Sequence, residues 1–238
     1  MEKAYFNWSS GKDSCLALYR ILKEGRYEVS RLVTTVNTDH QRVSMHGLRT
    51  PLLEDQAKSI GIPLTKIELN GNLSMASYNA KMRDAMANLI AEGYGYGVFG
   101  DIFLEDLKAY REEKLAEVGV QGLFPLWKQN TRALVLEFLD LGFKAITVCV
   151  NAKLLDSSFC GRIIDRGFLE DLPPEVDVCG ENGEFHTFVF DGPIFSRPID
   201  YTVGDKVLRG YTPSEDDDVV SPNDHSWDTS FWYCDLLP

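Results

Sequence analysis

The chain has no long apolar run. Of its 238 residues 44% are hydrophobic, yet no stretch approaches the ~20 residues that span a bilayer, so a helical membrane protein is excluded. No basic segment followed by an apolar one stands near Met1, so no secretory leader is expected, and a cytoplasmic location is. Cysteine is scarce and scattered: Cys15, Cys149, Cys160, Cys179 and Cys234 are odd in number, and none forms a C-x-x-C pair. That argues against a disulfide framework and a structural zinc site, and it fits a reducing compartment. Positive charge is short as well, with 24 Lys and Arg against 36 Asp and Glu and a net charge of -12. Such a surface repels polyanions, so nucleic acid is not expected as a main substrate. No internal repeat is visible.

What the sequence does contain is an alternation of strand-like and helix-like runs. Residues 4–8 are short and apolar, and 14–24 carry Cys15, Leu18, Tyr19 and Leu22 at helical spacing before Gly25. Residues 31–37, RLVTTVN, are apolar on both faces, as a buried parallel strand is. A helical stripe over 48–60 (Leu48, Leu52, Gln56, Ala57, Ile60), a strand at 64–69, a long helix at 74–92 and a strand at 96–102 follow. This order predicts an α/β fold with a parallel, doubly wound sheet. Ligands of such sheets lie at the carboxyl ends of strands, near the switch in strand order. Three clusters then converge: the loop after the first strand, Val36 and Asn37 through His40, and Gly100 with Asp101.

Residues 1–102 read as a nucleotide-binding unit, and 103–238 as a second, smaller α/β unit for substrate. The latter has helices at 107–118, 131–141 and 163–172, with strands at 143–150 and 185–190. Residues 212–229, with SEDDD and two prolines, read as loosely held. The closing FWYCDLLP is too apolar for a free tail and is expected to pack back onto the protein.

Residues 7–18 read NWSSGKDSCLAL. Gly11-Lys12 beside hydroxyl residues suggests a phosphate loop, but a Walker loop needs a glycine five positions before Gly11, and Phe6 stands there. What remains is a tight turn that opens a helix, whose N–H groups and dipole hold an anion. Ser9 and Ser14 add hydroxyl donors, and Lys12 adds charge. An aspartate amid phosphates is repelled unless a cation intervenes. Asp13 therefore points to Mg²⁺ bridging carboxylate and phosphate oxygens.

The stretch resembles the S-G-G-x-D-S signature of the N-type ATP pyrophosphatases, or PP-loop enzymes, matching at Ser9, Gly11, Asp13 and Ser14. Ser10 departs, standing where the pattern has its first glycine. If that position needs a positive φ, serine is strained there. SMHGLR (44–49), GDI (100–102), FPLW (124–127), FCGR (159–162) and DVCGENGEFHTFVFDGP (177–193) extend the resemblance to the diphthine–ammonia ligase family, over most of the chain to about Pro193. The resemblance implies a Rossmann-like (HUP-type) domain whose loop, Ser9, Ser10, Gly11, Lys12, Asp13 and Ser14, grips the β- and γ-phosphates of ATP. These leave together as pyrophosphate. In the family's founding activity the carboxylate of diphthine, a modified histidine on an elongation factor, is adenylylated, and ammonia displaces AMP. The implied ligands are ATP, Mg²⁺, ammonia and a carboxylate that a protein can carry. No length remains for a glutaminase domain, so free ammonia is the expected donor. Oligomeric state is left open.

The family's G-E-x-G-E-F motif matches at Gly180, Glu181, Gly183, Glu184 and Phe185. Glu184 and His186 alternate about Phe185 and so share one side of a strand. Glu181 and Glu184, as a carboxylate pair, can bind ammonium, act as general base or hold a cationic substrate group. The same residues also fit a solvated acidic turn. Arg49, one helical turn from His46, suits phosphate chelation or a surface position. Asp101 suits ribose, metal or a helix cap. Arg162 suits substrate or phosphate. Cys179 beside the motif would support sulfur transfer as a thiolate, but it reads better as a buried structural thiol. Besides the ligase, two other functions remain open: a sulfur transferase and a non-catalytic ATP sensor.

Overall fold

The computed structural model describes residues 1–43, 47–70, 74–211 and 229–238. The first sheet contains β1 (Glu2–Asn7), β2 (Tyr27–Asn37), β3 (Arg42–Val43), β4 (Leu64–Leu69), β5 (Tyr96–Val98) and β6 (Gln121–Leu123). Its parallel strands lie in the order β4-β2-β1-β5-β6, and β3 pairs antiparallel with the end of β2 beyond the reach of β1. Helices α1 (Lys12–Glu24), α2 (Thr50–Ile60), α3 (Met75–Ala91) and α4 (Glu105–Ala116) make the crossovers. The chain builds outward from β1 to β4, then returns to lay β5 on the other side of β1. The switch point lies between β1 and β5, and the residues following both strands open there.

The sheet is covered on both faces. Alternation along β1 sends Ala4 and Phe6 into one core and Tyr5 into another. Helix α1 stops where Gly25 adopts a φ of +66° and its N–H caps Ile21 O. Helix α2 starts with Pro51 in its first turn, where a missing N–H costs nothing.

The parallel sheet continues past residue 102, since α4 and β6 follow and β6 pairs with β5. Three-residue β6 contains Gly122 and carries no period, which hides it in the sequence. The second sheet is antiparallel, in the order β8 (Phe185–Asp191), β7 (Lys144–Asn151), β10 (Thr229–Leu237), β9 (Thr202–Tyr211). Helices α5 (Thr131–Asp140) and α6 (Arg166–Asp171) accompany it. The apolar C-terminal segment is β10, an interior strand with Cys234 and Leu236 buried. Strand β9 has no counterpart in the sequence reading. It is an edge strand, largely exposed, and TVGDKVLRGY shows little apolar alternation. Of residues 212–229, expected to be loosely held, 212–228 lie outside the described residues, as does His46, while Thr229 opens β10.

One apolar cluster joins the two sheets, running from Phe6, Trp8 and Leu18 through Leu126 and Phe138 to Phe168, Phe188 and Leu236. Arg20 on α1 reinforces it by pairing with Glu137 on α5 and donating to Gln129 Oε1 at 2.7 Å. Among the described residues no helix is long and apolar enough to cross a membrane.

Phe6 is fully buried in the strand at the centre of this arrangement. Truncation by Phe6→Ala is expected to cost about 3–5 kcal/mol, read as a lower midpoint in denaturant unfolding.

Candidate active site

Strand β1 ends at Asn7, and the chain turns through Trp8, Ser9 and Ser10 into α1. Ser10 has a φ of +69°, the left-handed region expected for the motif's missing glycine. A side chain there costs about 1–2 kcal/mol. The position is fully buried, and its carbonyl accepts two hydrogen bonds, from Val189 N and from Gln56 Nε2, both at 3.1 Å. Ser9 and Ser14 clasp the turn, their hydroxyl oxygens 2.6 Å apart. Lys12 N, one of the helix's unpaired first donors, donates to Thr187 Oγ1 at 3.0 Å. Gly100 comes so close from the end of β5 that a Cβ on it would lie 3.1 Å from Asp13 C and Ser14 N. Both backbones are fixed, so a side chain there would push α1 away.

Lys12 and Asp13 form an ion pair in which Lys12 Nζ reaches both carboxylate oxygens at 2.7 Å. Lys12 is 3% exposed. Burial alone would push its ammonium down, but the Asp13 carboxylate raises it above its ordinary value. Asp13 keeps 30% of its side-chain surface open. Desolvation on its remaining sides pushes its carboxyl up, and Lys12 opposes this. Among the described residues no group of three or more His, Cys, Asp or Glu is arranged to hold a metal. A single carboxylate beside an anion site fits a divalent cation completed by phosphate oxygens rather than an all-protein cage.

The second sheet brings its acidic turn to the same place. Glu181 Oε1 accepts from Ile102 N at 2.7 Å and Phe103 N at 3.4 Å. GENGEF is thereby fastened directly to the GDI loop. Burial pushes the Glu181 carboxyl up to about 7, with Asp13 adding and the Ile102 bond opposing. His186 is lowered to about 4, chiefly by burial and also by the Lys12 charge. Cys179 donates to Thr131 O at 3.2 Å, and burial pushes its thiol up to about 12.

The structure thus brings Ser9, Ser10, Gly11, Lys12, Asp13, Ser14, Gly100, Asp101, Gly180, Glu181 and His186 into one neighbourhood. Asp101 does not cap α4, whose N-cap is Leu104. Instead Arg111 Nε lies 2.9 Å from Asp101 Oδ2, a charge contact that leaves both atoms without a hydrogen bond. Val36 and Asn37 end β2, where Asn37 Oδ1 accepts from Asp39 N and His40 N to hold the following turn. Glu184 differs from expectation. It is 2% exposed, and its oxygens are taken by Asp177 N, Asn182 N and Asn182 Nδ2, so it holds the turn from within. Gly183 shapes that turn with a φ of +83°. Arg49 is bound to Asp235 at 2.6 Å, and Arg42 binds the same carboxylate at 2.9 Å. Arg162 pairs with Asp171 and lies over the rings of Phe159 and Phe168. No described hydrogen bond or ion pair joins either arginine to the loop.

Gln56 and Thr187 were not among the expected site residues. A glutamine on an otherwise apolar helical stripe was the available signal, since a buried amide must find partners. Thr187 offered none, because β8 gives no sign in sequence of where it packs.

A phosphate loop at the switch point of a parallel sheet, crossed by an acidic turn from a second sheet, defines an α/β nucleotide-binding protein. A profile described as diphthamide synthase N-terminal domain matches residues 2–122, and one described as diphthamide synthase C-terminal domain matches 130–212. The chain belongs to this diphthamide synthase family. Diphthine–ammonia ligase of Danio rerio is 25% identical over 235 residues, covering 90% of this chain and 89% of that protein. The Homo sapiens protein of the same name is 25% identical over 221 residues, covering 80% and 79%. Among solved structures, a "predicted subunit of tRNA methyltransferase" from Methanocaldococcus jannaschii aligns with a TM-score of 0.40 at 18% identity, covering 66% of this chain and 82% of that one.

Glu181 supplies a pH test. A carboxyl raised in the folded state favours folding below its unfolded value near 4.5, and that contribution is lost as pH rises towards 7. Glu181→Gln does not titrate, so its stability relative to the native chain is expected to rise between pH 4.5 and 7. Denaturant melts at both ends of that window measure the difference.

Proposed function

We propose that the chain is an ATP-dependent amide ligase that cleaves ATP to AMP and pyrophosphate, and that a carboxylate and ammonia are its other substrates. The observation that carries this reading is the bond from Ile102 N to Glu181 Oε1, because it sets the acidic turn across the loop that would hold the triphosphate. Family membership supports the same chemistry.

In the reaction a carboxylate oxygen attacks the α-phosphorus. The bond to the β-phosphate breaks, and pyrophosphate leaves from the loop. Ammonia then attacks the acyl carbon, the bond to AMP breaks, and a proton passes to a base. Ser9, Ser14 and the first-turn N–H groups of α1 other than that of Lys12, which Thr187 Oγ1 accepts, suit the departing phosphates. Lys12 adds positive charge, and Asp13 would hold Mg²⁺, which neutralises phosphate charge when bound. Glu181, titrating near neutrality, suits ammonium binding and proton acceptance. His186 is neutral at pH 7 and suits hydrogen bonding rather than ion pairing. Gly180, Gly183 and Glu184 shape and hold the turn. The ends of β2 and β5, with Val36, Asn37, Gly100 and Asp101, suit the nucleoside side. Arg49 and Arg162, paired with Asp235 and Asp171, are given no role in this reading. Diphthine, named in the relatives, is the first carboxylate to test. A cytoplasmic setting is supported by five thiols that are all free and buried.

Turnover with ammonium and the correct carboxylate is expected to yield AMP and pyrophosphate in equal amounts by ³¹P NMR. ADP and phosphate would contradict the mechanism. Asp13→Asn is expected to lower kcat/KM on the order of 100-fold. Cys179→Ser is expected to keep its activity. Loss of turnover in that variant, with ATP still bound, would favour sulfur transfer instead.

A further inference from the structure

Gln56 is a fully buried polar side chain on α2, outside every motif that the proposed chemistry uses. All of its hydrogen-bonding groups but one lone pair are engaged. Trp8 Nε1 donates to Gln56 Oε1 at 2.7 Å. Gln56 Nε2 donates to Ser10 O at 3.1 Å and to Val189 O at 2.7 Å. The amide's orientation is fixed by chemistry, because an indole N–H can only donate and both carbonyls can only accept. Val189 N also donates to Ser10 O at 3.1 Å. One amide therefore ties together the end of β1, the strained residue of the loop and strand β8 of the second sheet. Strand β8 follows directly on the GENGEF turn, and two residues before Val189 it supplies Thr187 to Lys12 N.

We infer that Gln56 is a positioning residue for nucleotide binding: it holds Ser10 in its left-handed conformation and makes the phosphate loop's shape depend on β8. This rests on the loop being the ATP site. Serine needs such support where the family pattern has glycine, because its Cβ opposes a positive φ. Loss of the support should free the loop to leave the phosphate-binding shape. A glycine at position 10 should keep that shape without help.

The test is calorimetry of the full chain with Mg²⁺ and a non-hydrolysable ATP analogue, with circular dichroism to check folding. Gln56→Leu is expected to weaken binding about tenfold, the worth of one to two hydrogen bonds. Adding Ser10→Gly to Gln56→Leu is expected to recover most of that loss, whereas adding Ser10→Ala recovers none. Both second changes remove the hydroxyl, so only backbone freedom separates them. Should Gln56→Leu fail to fold, Trp8→Phe removes the bond that orients the amide. A loss of about threefold, again recovered by glycine and not by alanine, is expected. Native affinity in folded Gln56→Leu, or equal behaviour of glycine and alanine, would overturn the inference. Failure of the native chain to bind the analogue would overturn the ATP reading along with it.

Discussion

The carbonyl of Ser10 is the point at which the two sheets are joined to the loop. It takes one hydrogen bond from β8 and one from α2, and both depend on the residue staying left-handed. From that conformation follow the direction in which α1 starts, the clasp of Ser9 on Ser14, and the position of Asp13 against Gly100. A backbone oxygen carries this because buried carbonyls must be paired, and the two donors it receives belong to separate elements. The phosphate loop is therefore a product of the whole fold rather than of its six residues.

Electrostatics act on that frame. A buried ammonium is costly unless matched, and Lys12 is matched by Asp13 at 2.7 Å. Burial, with Asp13 adding, pushes the Glu181 carboxyl up to about 7. Groups pushed away from their ordinary values and gathered at a strand switch are typical of working sites. Glu184, a more deeply buried carboxylate of the same motif, has its oxygens supplied with donors by its own turn. Neighbouring glutamates thus take different work, one facing the loop and one holding the turn in shape.

Much of this was legible in the sequence. The parallel sheet, its helices and the loop's position follow from periodicity and glycine placement, because those patterns report on local structure and burial. The strain at Ser10 was also legible, since one serine broke a glycine pattern. Contacts between distant segments were not. Nothing local distinguishes Glu181 from Glu184, and only the packing of β8 against α1 decides which carboxylate reaches Ile102. Arg49 suited either a phosphate ligand or a surface position, and its partner Asp235, 186 residues away, was not visible. Edge strand β9 was missed because an exposed strand needs no apolar alternation.

The proposed grip of the loop on the β- and γ-phosphates can be tested without knowledge of the carboxylate. Displacement of a fluorescent ATP analogue by magnesium pyrophosphate, beside displacement by AMP, tests it most directly. Pyrophosphate is expected to compete within about tenfold of ATP and AMP far more weakly, since the proposed phosphate contacts of the loop are made to the β- and γ-phosphates. Strong competition by AMP with none by pyrophosphate would contradict the assignment of the loop.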